Sequence, residues 1–154
     1  MDEYYMKLAL EEGKLAYKKG EVPIGAIIVK NEQVIGRGHN LRETLKNATA
    51  HAEILAIQEA CKNVGGWRLT GSTLYVTIEP CLMCCGAILQ SRIDRLVIGA
   101  MDFKGGACGS VVNLLDNNNF NHQTEIITGI LEQEASDMMK NFFKNLRESK
   151  KYSK

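Results

Sequence analysis

The sequence predicts an α/β protein built as a three-layer α/β/α sandwich, with a mixed five-stranded sheet between two layers of helices. Helix-like and strand-like segments alternate through most of the chain, which is typical of parallel strands joined by helical crossovers. The alternation follows two adjacent strand-like segments, which predict one antiparallel hairpin in the sheet. With 154 residues and 45% hydrophobic residues, the chain has the size and apolar content of one domain, residues 1–154.

The first part of the chain contains a predicted helix followed by the hairpin. Apolar residues spaced among charges over residues 3–19, ending at Gly20, predict an amphipathic helix. Residues 24–29 and 33–37 are strand-like, and Asn31-Glu32 lies between them. A tight turn at this dipeptide would make the two strands antiparallel neighbours.

The rest of the chain is predicted to alternate between helices and strands. The predicted elements are a helix over 50–62 capped by Thr49 and closed near Gly65-Gly66, a strand over 74–78, a helix from Pro80 to about Ser91, a strand over 95–99, a short helix over 111–115, a strand over 125–128, and a helix over 131–147 whose basic end reaches about residue 150. Threonine suits a helix cap because its hydroxyl accepts a hydrogen bond from a backbone N–H. Proline suits a helix start because its missing N–H would have no partner there.

Composition excludes several classes of protein. No apolar run approaches about 18 residues, so we expect no membrane span. The first residues, Met1-Asp2-Glu3-Tyr4-Tyr5, lack the basic start and apolar core of a secretory signal. The five cysteines are an odd number and do not indicate a disulfide framework. We therefore expect a cytoplasmic protein.

Charge is balanced overall, at a net +1, but it is concentrated at the end of the chain. Residues 140–154 contain one acidic residue, Glu148, and six basic residues: Lys140, Lys144, Arg147, Lys150, Lys151 and Lys154. A solvated, frayed end is the plainer interpretation of such a run. The alternative is a surface that binds the phosphates of a nucleic acid.

Two short segments carry side chains that bind metal. His51-Ala52-Glu53 supplies an imidazole, and Pro80-Cys81-Leu82-Met83-Cys84 supplies two thiols. Imidazole nitrogens and thiolate sulfurs are side-chain groups that bind zinc. Three protein ligands leave one position of a tetrahedral zinc ion open, as in catalytic sites. A water in that position has its pKa lowered to about 7. Both segments fall at predicted helix starts, where the partial positive charge favours thiolates.

Other interpretations of these segments explain less of the sequence. A redox Cys-x-x-Cys pair would follow the first strand of a βαβ unit, whereas this pair follows Glu79-Pro80 after the third strand and leaves His51 unexplained. A structural zinc site would need a fourth ligand, for which Cys85, Cys108 and His39 are candidates, but none forms a second recognisable pair. We therefore favour a catalytic zinc, with Cys85 as a small buried thiol.

Glu53 is the candidate group for proton transfer. It lies two residues after His51, close enough to serve a nucleophile at the metal. A glutamate in the first turn of a helix is also common for electrostatic reasons alone. The combination with the Pro-Cys-x-x-Cys segment favours a general acid/base.

The same segments resemble a known family. His-Ala-Glu followed by Glu-Pro-Cys-x-Met-Cys is the signature of the cytidine-deaminase-like zinc hydrolases. Residues 20–26, 38–40, 49–53, 74–84, 91–93 and 141–144 make the chain similar to the bacterial tRNA-specific adenosine deaminases. The Glu21-Val22-Pro23 segment and the terminal Phe-Phe-Lys-x-x-Arg segment narrow the resemblance to the tRNA enzymes. The resemblance covers nearly the whole chain, from the first helix to about Arg147.

This resemblance implies hydrolytic deamination of adenosine to inosine at the wobble position of a tRNA anticodon loop. His51, Cys81 and Cys84 would bind one zinc ion per subunit. Glu53 would take a proton from the attacking water, give one to N1 of adenine and assist the departure of ammonia. The backbone near Ala52 and near Glu79-Pro80 would line the reacting edge of the base. Asn40 would hydrogen-bond the base, although from the sequence it could equally be a turn residue that holds its own backbone.

The resemblance also implies RNA contacts outside the reacting site. They involve Arg42, Asp102, Lys104, Asn121, Phe142, Phe143, Lys144 and Arg147. Such proteins hold unstacked loop bases by aromatic stacking and basic contacts, so we expect one of the two phenylalanines in the core and the other at a base. The sequence departs from the family at Gln123, where a basic residue is common, and at Leu146, where relatives are sometimes basic. It also departs at Cys85, where a small alanine-like residue is usual.

Relatives of this kind are homodimers, so the resemblance implies a dimer whose RNA path runs near the subunit boundary. Two other functions remain open: deamination of a free base or nucleoside such as guanine or cytosine, and a zinc-stabilised binding module without catalysis. A small-metabolite enzyme gains nothing from a basic, aromatic terminal helix. A binding module would enclose its zinc with four ligands. Both arguments favour the tRNA enzyme.

Overall fold

The computed structural model describes the backbone of residues 1–152 and the side chains of residues 1–150. In this part of the chain, four helices and five strands follow one another in the predicted alternation. They are α1 (Asp2–Lys18), β1 (Gly25–Lys30), β2 (Gln33–His39), α2 (Ala52–Val64), β3 (Thr73–Ile78), α3 (Leu82–Gln90), β4 (Arg95–Ala100), β5 (Glu125–Ile127) and α4 (Glu132–Tyr152).

The five strands form one mixed sheet in the order β2-β1-β3-β4-β5. Strand β1 is antiparallel to both β2 and β3, whereas β3, β4 and β5 run parallel. The hairpin turn at Asn31 and Glu32 has positive φ values of 51° and 62°, as a two-residue turn of type I′ requires. Lys30 pairs directly with Gln33 across it, which confirms the predicted hairpin.

Successive residues of a strand point to opposite sides of the sheet. Apolar side chains therefore project from both faces, and helices cover both. On one face, Ile27 and Val29 of β1 pack with Tyr5 and Met6 of α1. On the other face, the intervening residues of the strands pack with α2 and α3. Apolar packing of helices on both faces confirms the predicted three-layer sandwich and its mixed five-stranded sheet.

Strand β2 packs so closely on α2 that two of its positions have no room for a side chain. A Cβ added at Gly36 would lie 2.3 Å from the carbonyl oxygen of Ala56, and one added at Gly38 would lie 2.2 Å from that of Ala52. Both distances are far below van der Waals contact. The two glycines therefore set how closely the start of α2, with Glu53, approaches the sheet.

The predicted starts of α2 and α3, at residues 50 and 80, were each two residues too early. Helix α2 begins at Ala52 with His51 as its cap, and α3 begins at Leu82 with Cys81 as its cap. Thr49 does not cap α2, because its hydroxyl donates a hydrogen bond of 2.7 Å to the side chain of Asn47. These corrections place two candidate metal ligands at helix caps.

The predicted short helix over residues 111–115 was also wrong. This segment is an irregular loop with one isolated bridge, between Cys108 and Asn113. The N–H of Leu114 donates to the carbonyl of Ala107, and the N–H of Gly109 donates to that of Val112. The chain therefore folds back on itself, and these backbone groups are not free to form helical hydrogen bonds.

Helix α4 lies beside α1 and extends past the predicted end at Arg147. Phe142 packs edge-on against Tyr17 of α1, with ring centroids 5.5 Å apart. Lys154 and the side chain of Lys151, both part of the basic run, lie outside the described residues. Within residues 1–152, no helix combines the length and the apolar character that crossing a membrane requires.

We expect Gly36→Ala to lower the free energy of unfolding by about 1–3 kcal/mol, because the added methyl overlaps the backbone of α2. Gly66→Ala is the matched control, since nothing lies within 4 Å of a Cβ at that position. Urea unfolding of the two variants measures the difference. Equal stability of the two would contradict the close packing of β2 on α2.

Candidate active site

The three candidate metal ligands converge because α2 and α3 begin at the same place. His51 caps α2, Cys81 caps α3, and Cys84 lies in the first turn of α3. Nδ1 of His51 lies 3.6 Å from the sulfur of Cys81 and 3.6 Å from that of Cys84. A ligand atom from each of the three residues lies within 4.8 Å of the others.

The donor set and its spacing fit a zinc ion. One imidazole nitrogen and two sulfurs are the ligands of one class of catalytic zinc sites. Within residues 1–150, this cluster contains three ligand groups, and the candidates for a fourth lie outside it. Cys85 is fully buried and its thiol donates to the carbonyl of Pro80, while the ring of His39 bonds to Glu12 and Lys19. The arrangement leaves room for an open metal position.

The two thiols of the cluster have opposite pKa shifts. The Cys84 side chain, the N–H groups of Cys84 and Met83 and the nearby His51 lower the pKa of the Cys81 thiol to about 5. The pKa of the Cys84 thiol is raised, because Cys84 hydrogen-bonds to Cys81 and is buried. Zinc binds thiols in their deprotonated form, so the proton of the Cys84 thiol would leave as the metal enters.

Glu53 lies in the first turn of α2 with only 4% of its surface exposed. Burial is the main reason that its pKa is raised to about 7, and the negative charge of Cys81 adds to the effect. A carboxyl group with a pKa near neutrality can both accept and donate a proton. The structure thus places a group suited to proton transfer beside the three candidate metal ligands.

A cavity of about 180 Å³ lies over the cluster, and we call it the inner cavity. Its lining residues are Val22, Ile24, Asn40, Arg42, His51, Ala52, Glu53, Ile78, Glu79, Cys81 and Asp102. Asn40 also holds backbone, since its Nδ2 donates to the carbonyl of Val22 and its Oδ1 accepts from the N–H of Arg42. The turn role considered for Asn40 is present, and its side chain also borders the cavity.

A larger, open groove of about 820 Å³ adjoins the inner cavity, and we call it the outer groove. The two share Val22, Ile24, Ile78 and Asp102. The outer groove is also lined by Ala100, Met101, Phe103, Lys104, Ser136, Met139, Lys140, Phe143 and Arg147. The outer groove connects the inner cavity to the basic, aromatic face of α4.

The predicted RNA contacts lie in different parts of the molecule. Asp102, Lys104, Phe143 and Arg147 line the outer groove, and Arg42 lines the inner cavity. Phe142 is buried with 8% exposure, so it is the core member of the phenylalanine pair. Lys144 is exposed on α4 outside the lining of the groove, and Asn121 lines a separate cleft with Gly86 and Arg92. The structure does not bring Asn121 to the reacting site.

Glu79 has a larger structural role than its sequence context suggested. Its carboxylate accepts hydrogen bonds from the N–H groups of Asp102, Cys108 and Ser110 and from the Ser110 hydroxyl. Burial by itself would raise the pKa of this carboxyl, but the hydrogen bonds from Ser110, Asp102 and Cys108 lower it below its usual value. The sequence signal for this role was the glycine-rich loop over 104–109, whose partner it did not reveal.

The outer groove contains lining residues that sequence reasoning missed. Val22 and Ile24 form part of its wall, and Phe103 and Lys140 lie along it. Phe103 has 82% of its surface exposed, so its ring is accessible from the outer groove. A basic and aromatic composition around Lys104 was the available signal.

One nitrogen and two sulfurs that could hold a metal ion lie at helix starts on an α/β/α sandwich, with a buried glutamate beside them. This arrangement is typical of the zinc-dependent deaminases. Comparison with known proteins agrees with this class. The model of the MafB19-like deaminase family matches residues 1–147.

The chain is 55% identical over 150 residues to the tRNA-specific adenosine deaminase of Bacillus subtilis (strain 168), and the match covers 97% of this chain and 93% of that protein. It is 50% identical over 145 residues to the protein of the same name from Aquifex aeolicus (strain VF5), with coverage of 94% and 95%. The chain belongs to the family of tRNA-specific adenosine deaminases.

Solved structures extend the comparison. A structure from a study of A-to-I editing by tRNA:A34 deaminases at the wobble position of transfer RNA matches with a TM-score of 0.84 and 44% identity, covering 88% of this chain and 98% of that one. A guanine deaminase from Nitrosomonas europaea matches with a TM-score of 0.75 and 22% identity, covering 91% and 83%. The second likeness is one of fold.

We expect Cys84→Ala to lose tightly bound zinc and Cys85→Ala to retain it, because only the first removes a ligand from the cluster. Metal content per chain, measured by inductively coupled plasma mass spectrometry after gel filtration, distinguishes the two. Retained zinc in Cys84→Ala together with loss in Cys85→Ala would assign the third ligand to Cys85 instead.

Proposed function

We propose that this protein hydrolyses adenosine to inosine at the wobble position of a tRNA anticodon loop. One observation carries the proposal: the inner cavity, which lies over the three candidate metal ligands and is lined by Glu53, adjoins a groove with basic and aromatic walls. A free nucleoside would need only the cavity, whereas a loop nucleotide needs a path for its neighbours. The family to which the chain belongs supports the same conclusion.

We assign one zinc ion per subunit to His51, Cys81 and Cys84. Their softness and number suit zinc, and the cluster fits a tetrahedral ion with one open position. When bound, zinc supplies Lewis-acid chemistry that lowers the pKa of the attacking water.

Glu53 moves the protons of the reaction. Its carboxylate accepts a proton from the attacking water and delivers one to N1 of adenine, so that the ring can accept the nucleophile at C6. It then assists the departure of the amino group as ammonia. Burial in the inner cavity excludes competing water from Glu53 and keeps the proton within reach of the base.

Side chains around the inner cavity orient the adenine. The backbone at Ala52 lies along the reacting edge, next to Glu53. Asn40 is already held by Val22 and by the N–H of Arg42, so its amide is fixed in place before the base arrives. A fixed polar group selects a base with less loss of entropy than a mobile one.

The outer groove would hold the nucleotides that flank the wobble base. Lys104, Arg147 and Arg42 supply positive charge for phosphates, and Phe143 offers a ring for stacking. Phe142 supports this ring from the core, with centroids 5.3 Å apart. Lys144 and Asn121 lie outside the groove, so any contact with RNA there involves nucleotides farther from the reacting base.

A homodimer and a cytoplasmic location complete the proposal. Two copies of the chain would extend the RNA surface beyond one outer groove, as the resemblance to homodimeric relatives implies. The cytoplasm is where a tRNA substrate is available.

A deaminase of free bases is the second candidate. It is favoured by one observation, the likeness of fold to the guanine deaminase from Nitrosomonas europaea. The open groove beside the inner cavity weighs against it, since ligand sites for small molecules usually bury most of the ligand.

We expect purified zinc-loaded protein to form inosine in an anticodon stem-loop that carries adenosine at the wobble position. Glu53→Gln should keep its zinc and lower kcat by about 100-fold to 10,000-fold, because proton transfer is lost. Glu59→Gln on the exposed side of the same helix is the control. The assay is nuclease digestion with detection of inosine by mass spectrometry. Unchanged turnover in Glu53→Gln would remove Glu53 from the mechanism, and rapid deamination of free guanine or cytosine by the wild type would favour the second candidate.

We expect Arg147→Ala to weaken binding of the stem-loop and to make its salt dependence shallower, by roughly 0.7 in the slope of log K against log salt concentration, because one phosphate contact is lost. Arg68→Ala is the control, since Arg68 is exposed and stacks on Trp67 away from the outer groove. Fluorescence anisotropy at several salt concentrations measures both. Identical slopes for the two variants would place the RNA elsewhere.

A further inference from the structure

Two buried carboxylates take no part in the proton transfers described above. Glu21 is 1% exposed and Glu79 is 3% exposed. Burying a carboxylate is costly unless hydrogen bonds satisfy it. In both residues the donors come from a loop that borders the inner cavity or the outer groove.

Glu79 holds the loop over residues 102–110. The N–H groups of Asp102 and Cys108 each lie 2.9 Å from its carboxylate, and that of Ser110 lies 3.0 Å away. The hydroxyl of Ser110 also donates to it. Both ends of this loop are therefore tied to one side chain, two residues before the metal ligand Cys81.

Two further contacts fix the same loop. The N–H of Ala107 donates to the carbonyl of Pro80 at 2.9 Å. A Cβ added at Gly106 would lie 2.2 Å from an oxygen of Glu79, so the loop backbone approaches the carboxylate as closely as glycine allows. Asp102 and Lys104, which line the outer groove, are held by this arrangement.

Glu21 holds the loop over residues 41–47 in the same way. Its two oxygens accept from the N–H of Glu43 at 3.1 Å and from the N–H of Thr44 at 2.6 Å. Arg42, which lines the inner cavity, precedes these donors directly. Val22, the next residue after Glu21, lines both the cavity and the groove.

A carboxylate suits this task better than an amide of the same shape. It accepts hydrogen bonds through both oxygens and offers about four acceptor positions, whereas glutamine has one acceptor oxygen and a donor in place of the other. Hydrogen bonds to an ionised acceptor are also stronger than those between neutral groups. One side chain can therefore hold several N–H groups of one loop.

We propose that Glu21 and Glu79 are positioning residues that fix the two loops beside the reacting site before RNA binds. Glu21 acts through Arg42, and Glu79 acts through Lys104 and Asp102. The inference rests on the proposed function for its substrate, an anticodon stem-loop. It assigns to each carboxylate a separate share of RNA binding.

Crossed double-mutant cycles test this assignment. Lys104→Ala should raise KM for the stem-loop about tenfold in the wild-type background and in Glu21→Gln. It should have almost no further effect in Glu79→Gln, where the loop has already lost its position. Arg42→Ala should show the opposite pattern, with its effect lost only in Glu21→Gln. Each carboxylate is thus the control for the other, and kcat should change less than KM throughout. Additive effects in all four combinations would overturn the proposal.

Hydrogen exchange of the zinc-loaded proteins tests the positioning without catalysis. Glu79→Gln should speed amide exchange in residues 102–110 and leave residues 41–47 unchanged, and Glu21→Gln should do the reverse. Ser110→Ala and Glu21→Asp are the milder variants if a glutamine variant does not fold, and each should speed exchange in the same loop. Unchanged exchange in the expected loops would overturn the proposal, whereas absence of inosine formation by the wild type would overturn only the proposed function.

Discussion

The structure depends on the convergence of two helix starts. Helices α2 and α3 belong to different parts of the sheet, yet their caps, His51 and Cys81, bring nitrogen and sulfur within 3.6 Å. Helix starts carry partial positive charge, and two of them at one point favour thiolates and other anions there. This single arrangement brings together the three candidate ligand groups and the carboxyl of Glu53, which lies in the first turn of α2.

The packing of the sheet makes the convergence possible. Gly36 and Gly38 of β2 let α2 lie almost in backbone contact with the sheet, which fixes where Ala52 and Glu53 stand. Helix α3 follows β3 through Glu79 and Pro80, so its start is placed by the neighbouring strand. The reacting site is therefore set by rigid elements, whereas the groove that would receive the rest of the substrate is bordered by loops held by buried carboxylates.

The sequence predicted those parts of the site that depend on short spacing. His51 and Glu53 are two residues apart, and Cys81 and Cys84 are one helical turn apart, so their chemistry can be read locally. The hairpin was equally accessible, because Asn31-Glu32 is a turn between two apolar runs. The prediction that Thr49 caps α2 failed because the hydroxyl of Thr49 bonds to Asn47 instead. The pattern of helix-capping residues in a sequence does not reveal such a competing partner.

Features that depend on distant parts of the chain were not accessible in this way. The donors to Glu79 lie 23 to 31 residues further along, so the glycine-rich loop looked like an independent segment. Residues 111–115 have helical spacing but follow this loop, whose return contacts use their backbone groups. The pair Phe142 and Phe143 was expected to divide between core and surface. Phe142 is the buried member, and it packs against Tyr17 of α1, which is distant in sequence.

X-ray absorption at the zinc edge of the purified protein tests the central claim most directly, because it counts the ligands around the ion. The account predicts two sulfur neighbours at about 2.3 Å and two lighter neighbours at about 2.0 Å, one from His51 and one from solvent. A spectrum with three or four sulfur neighbours, or a preparation without tightly bound metal, would contradict a catalytic site built on His51, Cys81 and Cys84.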